Sequence, residues 1–146
     1  MSVALFPSVE WFDRVRQVFN TDDRFRGGGG GMCNALVGLK VGPKSYLVTF
    51  EGQECSDATE ATERDLAAAD FYLEMAPQEW REMIENIHSN GHADLHHTIN
   101  TLDLDREGGI SHSLHGDQYR EDLFFRYNQT IQYFFDASAR VDTQFK

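Results

Sequence analysis

The sequence predicts an α+β fold built around an apolar interior, and three observations carry that expectation. Runs of alternating apolar and polar residues, separated by glycine and proline turns, fill the stretch from residue 32 to residue 75. Apolar residues at helical spacing precede them and return after Pro77. The last third of the chain carries a broad aromatic face on a single helical pattern.

The elements follow in order. Ser8 is a good N-cap, and Val9, Phe12, Val15, Val18 and Phe19 recur at helical spacing to a helix end near Asn20, with Phe25 in a short extra turn. Residues 27–31 are five consecutive glycines. Without the lysine and serine or threonine of a phosphate-binding loop, they read as a flexible linker. Residues 32–41 set Cys33, Ala35, Val37, Leu39 and Val41 on one strand face and Leu36 and Lys40 on the other. Gly42-Pro43-Lys44 is a turn, Tyr46, Val48 and Phe50 alternate against Leu47 and Thr49, and Glu51-Gly52-Gln53 is a second turn. With a more polar strand at 53–62, this predicts an antiparallel meander.

Residues 63–69 read as a polar connection and 69–75 as a strand, in which Phe71, Leu73 and Met75 alternate with Tyr72 and Glu74. Pro77 then opens a helix whose stripe is Trp80, Met83, Ile84 and Ile87. Leu95, Ile99 and Leu102 mark a further helix. Ile110, His112 and Leu114 alternate as a short strand ending at Gly116, and Asp117 caps the longest helix. On that helix Tyr119, Phe124, Phe125, Tyr127, Phe134 and Phe135 lie on or near one stripe with Leu123 and Ile131, and Tyr133 is at its margin. The stripe fits a core against the sheet, the roof of an apolar cavity or a dimer seam, and the pattern is the same for all three.

At 146 residues the chain is expected to form a single domain, residues 1–146. Its 24 acidic and 13 basic residues give a net charge of −11, which repels a phosphate backbone, so nucleic acid is not an expected partner. No apolar run approaches the ~18–20 residues of a bilayer span, and no secretory signal opens the chain, so a cytoplasmic protein with reduced Cys33 and Cys55 is expected.

Four of the six histidines, His88, His92, His96 and His97, fall close together, and spacing of four would align three of them on a helix. Asn90-Gly91 breaks such a helix, so they read as solvated histidines on a polar connection, with no metal and no cofactor expected. His112 reads as a core histidine sharing a face with Ile110 and Leu114. Paired carboxylates such as Asp103 with Asp105 sit in polar stretches and read as solvated, and no nucleophile motif occurs, so no catalytic residue is assigned.

Three stretches carry a family resemblance. Phe6-Pro7-Ser8 followed by Trp11-Phe12 leads into the meander at residues 34–50, and Ala69-Asp70-Phe71-Tyr72-Leu73 is followed by Pro77 and Trp80. His115-Gly116-Asp117 precedes an apolar helix. In this order they resemble the sterol carrier protein type of lipid-binding domain. The glycine run and the acidic, histidine-rich segment 88–105 depart from it. The resemblance implies a mixed, largely antiparallel five-stranded sheet with helices covering one face around an apolar tunnel for a sterol, fatty acid or acyl-CoA.

The sequence thus points to binding or carriage of a hydrophobic small molecule. Facing alone nominates Leu36, Leu47, Phe71, Trp80, Met83, Leu114, Phe124, Tyr127, Ile131 and Phe134 as walls, with His112, Asn128 or Gln132 at the polar end. A small enzyme using His112 or the histidine cluster in the same cavity, and a homodimeric interaction module, are the alternatives.

Overall fold

The computed structural model describes residues 3–26, 32–113 and 118–145, of which 118–121 are described by backbone alone. The predicted glycine linker, the wall residue Leu114 and the His115-Gly116-Asp117 junction lie outside the described residues. Elements run β1 (Ala4–Phe6), α1 (Val9–Thr21), β2 (Ala35–Val41), β3 (Lys44–Glu51), β4 (Glu54–Ala61) and α2 (Glu63–Leu66). They continue β5 (Phe71–Met75), α3 (Pro77–Asn90), α4 (Ile99–Asp105), β6 (Ser111–His112), α5 (Gln118–Asp136), a 3₁₀ turn (Ala137–Arg140) and β7 (Thr143–Phe145).

The central sheet has strand order β4-β3-β2-β5-β6. The β2–β3, β3–β4 and β5–β6 pairs are antiparallel and β2–β5 is parallel, so the sheet is mixed and largely antiparallel, as expected. Gly42 and Gly52 turn the meander with φ of +59° and +66°, a region that disfavours side chains bearing a Cβ. Cross-strand register sorts side chains into two faces. Tyr46, Leu39, Leu73 and Ser111 form one row, Val48, Val37 and Phe71 the next, and this face meets α1, α3 and α5. On the opposite face Leu47, Gly38, Tyr72 and His112 form a row.

Local chemistry fixes the helix ends. The Trp11 amide donates to Ser8 Oγ at 3.1 Å, capping α1. Pro77 sits in the first turn of α3 while the Ala76 amide donates to the Glu79 carboxylate at 3.1 Å. Gly91, at φ +82°, ends α3 and separates the histidines as the Asn90-Gly91 signal predicts. The 63–69 connection contains the short helix α2, held by a capping box between Thr62 and Asp65. Only Ile99 and Leu102 of the predicted trio belong to α4; Leu95 lies in the loop before it, 84% exposed. A second, two-stranded sheet pairs β1 with β7 in parallel, Ala4 opposite Thr143, and the sequence reading did not anticipate it.

Candidate functional site: an apolar interior beneath a surface groove

Trp80 and Met83 reach the interior from α3, Phe71 from β5, and Phe124, Ile131 and Phe134 from α5; all six are fully buried. Their spacing on α5, with Ile131 seven residues after Phe124 and three before Phe134, is what brings them to one side of the helix. Phe71 and Phe124 meet edge to face with centroids 6.1 Å apart, and Phe134 packs on Phe50 at 5.6 Å and Phe19 at 5.9 Å. Trp80 satisfies its indole N–H on the Lys40 carbonyl at 3.0 Å while its ring lies 5.4 Å from that of Phe135. Tyr127 is half-buried at the margin of this layer.

The other nominated residues are not part of that layer. Leu36 and Leu47 are half-buried on the opposite sheet face, because even positions of β2 and odd positions of β3 point away from α1, α3 and α5. His112 is there too, its ring 5.6 Å from Tyr72, with which it pairs across β5 and β6. The expected reading of His112 as a core histidine is corrected: it is only half-buried, and its register opposite Tyr72 sets it on the face away from α1, α3 and α5. Ser111 takes the helix-facing position instead. Gln132 Oε1 accepts the Ile99 amide at 2.7 Å, and Asn128 Nδ2 donates to Asn100 Oδ1 at 3.2 Å. Both side chains thus tie α4 to α5, flanking a groove of 230 Å³.

Above Phe124, a groove of 310 Å³ opens between α4, the turn at 106–110, β6 and α5, lined by Asp103, Leu104, Gly108, Gly109, Ser111, Asp122 and Phe125. Leu104 is 71% and Phe125 56% exposed, so Phe125 departs from the predicted buried stripe. It stands beside its neighbour Phe124 at 5.4 Å, next to the Phe71 contact below. Asp103 also departs from its reading as a solvated carboxylate: it is only 8% exposed. Spacing of four from buried Ile99 turns it inward, a signal available in the sequence but masked by its polar neighbours. The Ile110 amide donates to Asp103 Oδ1 at 2.7 Å. A Cβ on Gly109 would come within 2.5 Å of the same oxygen, so glycine permits this approach. The Ser111 hydroxyl is buried without a hydrogen-bond partner among the described residues.

The histidine cluster is dispersed, His88 in the last turn of α3 and His92, His96 and His97 in the loop before α4. His97 Nδ1 lies 2.7 Å from Asp94 Oδ1, and this hydrogen bond, aided by Asn86 and the His96 amide, holds the Asp94 carboxyl at about 2. Burial pushes the thiols of Cys33 and Cys55 up to about 12, which makes them poor nucleophiles. Among the described residues no three His, Cys, Asp or Glu side chains gather as a metal site, and no helix is long and apolar enough to cross a membrane.

The architecture places this chain among α+β proteins of sterol-carrier-like fold. It is similar to a crystal structure of sterol carrier protein 2 with a TM-score of 0.59 and 15% sequence identity, over 90% of this chain and 95% of that one. At that identity the likeness speaks for the fold. No protein-family model matches the chain, and no curated protein matches it in sequence.

Proposed function

We propose that this protein binds a hydrophobic small molecule whose apolar part inserts between the sheet and α5. The observation that carries this reading is the groove at Leu104 and Phe125, where two large apolar side chains stand exposed beside the buried Phe124–Phe71 contact. Exposed residues of this size set together beside a cleft mark binding surfaces more often than isolated ones do. The sterol-carrier-like fold supports the same reading. An alkyl or ring system that loses ~300 Å² of apolar surface contributes about 7 kcal/mol before the costs of association. Insertion parts α5 from β5 where Phe124 touches Phe71.

The test is native purification, organic-solvent extraction and mass spectrometry beside an unrelated control protein. The reading expects one class of apolar molecule at near-stoichiometric amount, reduced at least about fivefold in a Phe125→Asp variant that keeps the native circular dichroism. An extract as empty as the control's, together with no uptake of added alkyl probes, would overturn it.

A further inference from the structure

We propose that the groove at Asp103 receives the protonated amine end of a long-chain amphiphile, an inference that rests on the hydrophobic-ligand reading above. Asp103 carries the argument. A buried carboxylate is ordinarily matched by a cation or by several donors, since removal from water penalises the charged form. Asp103 is 8% exposed, yet among the described residues its one hydrogen bond is from the Ile110 amide to Oδ1, and no cation pairs with it. The nearby Arg106 is engaged elsewhere, with the Glu79 carboxylate and the Glu74 carbonyl. A carboxylate accepts more than one donor, and an ammonium offers three.

The remaining lining agrees with this choice. Among the described residues, none that lines the groove is basic. The Ser111 hydroxyl, without a partner among the described residues, supplies an acceptor on the same wall. Leu104 and Phe125 supply an apolar rim for the chain that trails from the amine, and Phe124 lies beneath. A fatty-acid carboxylate would meet like charge here, so the groove discriminates by sign as well as by shape.

Three probes with one tail decide the matter: dodecylamine, dodecan-1-ol and dodecanoate, titrated by calorimetry at pH 7 and about 0.15 M salt, where exposed charges more than ~8 Å apart are largely screened. The expected order is amine tightest, by about tenfold over the alcohol and more over the carboxylate, with one amine bound per chain. Asp103→Asn keeps the acceptor for the Ile110 amide and removes the charge. It should bring the amine down to the affinity of the alcohol. Equal affinity for amine and alcohol, tighter dodecanoate, or amine binding at many sites and indifferent to Asp103→Asn would overturn the amine proposal while leaving the hydrophobic-ligand reading in place. Failure of all three probes to bind would overturn both. If Asp103→Asn fails to fold, the order of the three probes on the native chain still decides.

Discussion

Asp136 ends α5 with its carboxylate buried, accepting the Ala93 amide at 3.1 Å and Gln132 Nε2 at 2.9 Å. Burial raises its pKa above the ordinary carboxylate range, against the opposing pull of Gln132, Ala93 and His92. A carboxyl with a raised folded pKa adds stability below its unfolded pKa and loses that contribution as pH rises through the folded value. Asp136→Asn keeps an acceptor for both donors, so it should raise the melting temperature at pH 7 by roughly 2–4 °C and have little effect near pH 3, as differential scanning calorimetry at the two pH values would show. Asp94 behaves oppositely. Its carboxyl, lowered to about 2 chiefly by His97, contributes stability above the unfolded pKa that is lost as pH falls through about 2. At this scale the sequence was readable where one face decides a residue's fate, as for Trp80, Met83 and Phe134. It was misleading for Asp103, whose polar neighbours mask its spacing from Ile99, and for His112, whose two-residue strand is too short to show a period.

Among the elements, β2 lies at the centre of the sheet, paired on both sides by β3 and β5. Gly38 at its centre lies under α2: an added Cβ would sit 2.6 Å from Leu66 Cδ2 and 2.7 Å from Tyr72 Cβ. Leu66 can rotate away, but Tyr72 Cβ is fixed by the parallel register that sets it opposite Gly38. Gly38→Ala should therefore cost about 2 kcal/mol in urea unfolding, and adding Leu66→Ala should not restore it. Full restoration by the second change would show the clash with Leu66 alone to matter. The meander, β5 and α3 were legible because alternation and proline signal them locally. Four-residue α2 is too short to show a period, and β1–β7 pairs residues about 140 positions apart, which no local pattern records.

For the molecule as a whole, the cysteines report on cooperativity. Cys33 is buried just before β2 and Cys55 near the start of β4, with thiols pushed up to about 12. Neither should react with Ellman's reagent at pH 8 in the native state, and both should become reactive together across the unfolding transition in urea. Reaction of Cys55 alone at a rate independent of denaturant would reveal separate opening of edge strand β4. The general plan of this molecule, with α1, α3 and α5 over one face of a mixed sheet, could be read from periodicity and from the family resemblance. The groove could not, since Asp103, Ser111 and Phe125 are joined only by the folding of α4 and β6 onto α5. The terminal ribbon has a mechanical consequence of its own. Because β1 and β7 run parallel, a pull on the two ends of the chain draws Ala4 and Phe145 in opposite directions along the ribbon. Its hydrogen bonds are loaded together in shear rather than peeled one after another, so this small sheet acts as a latch that yields abruptly under tension and shields α1 and the 3₁₀ turn until it does.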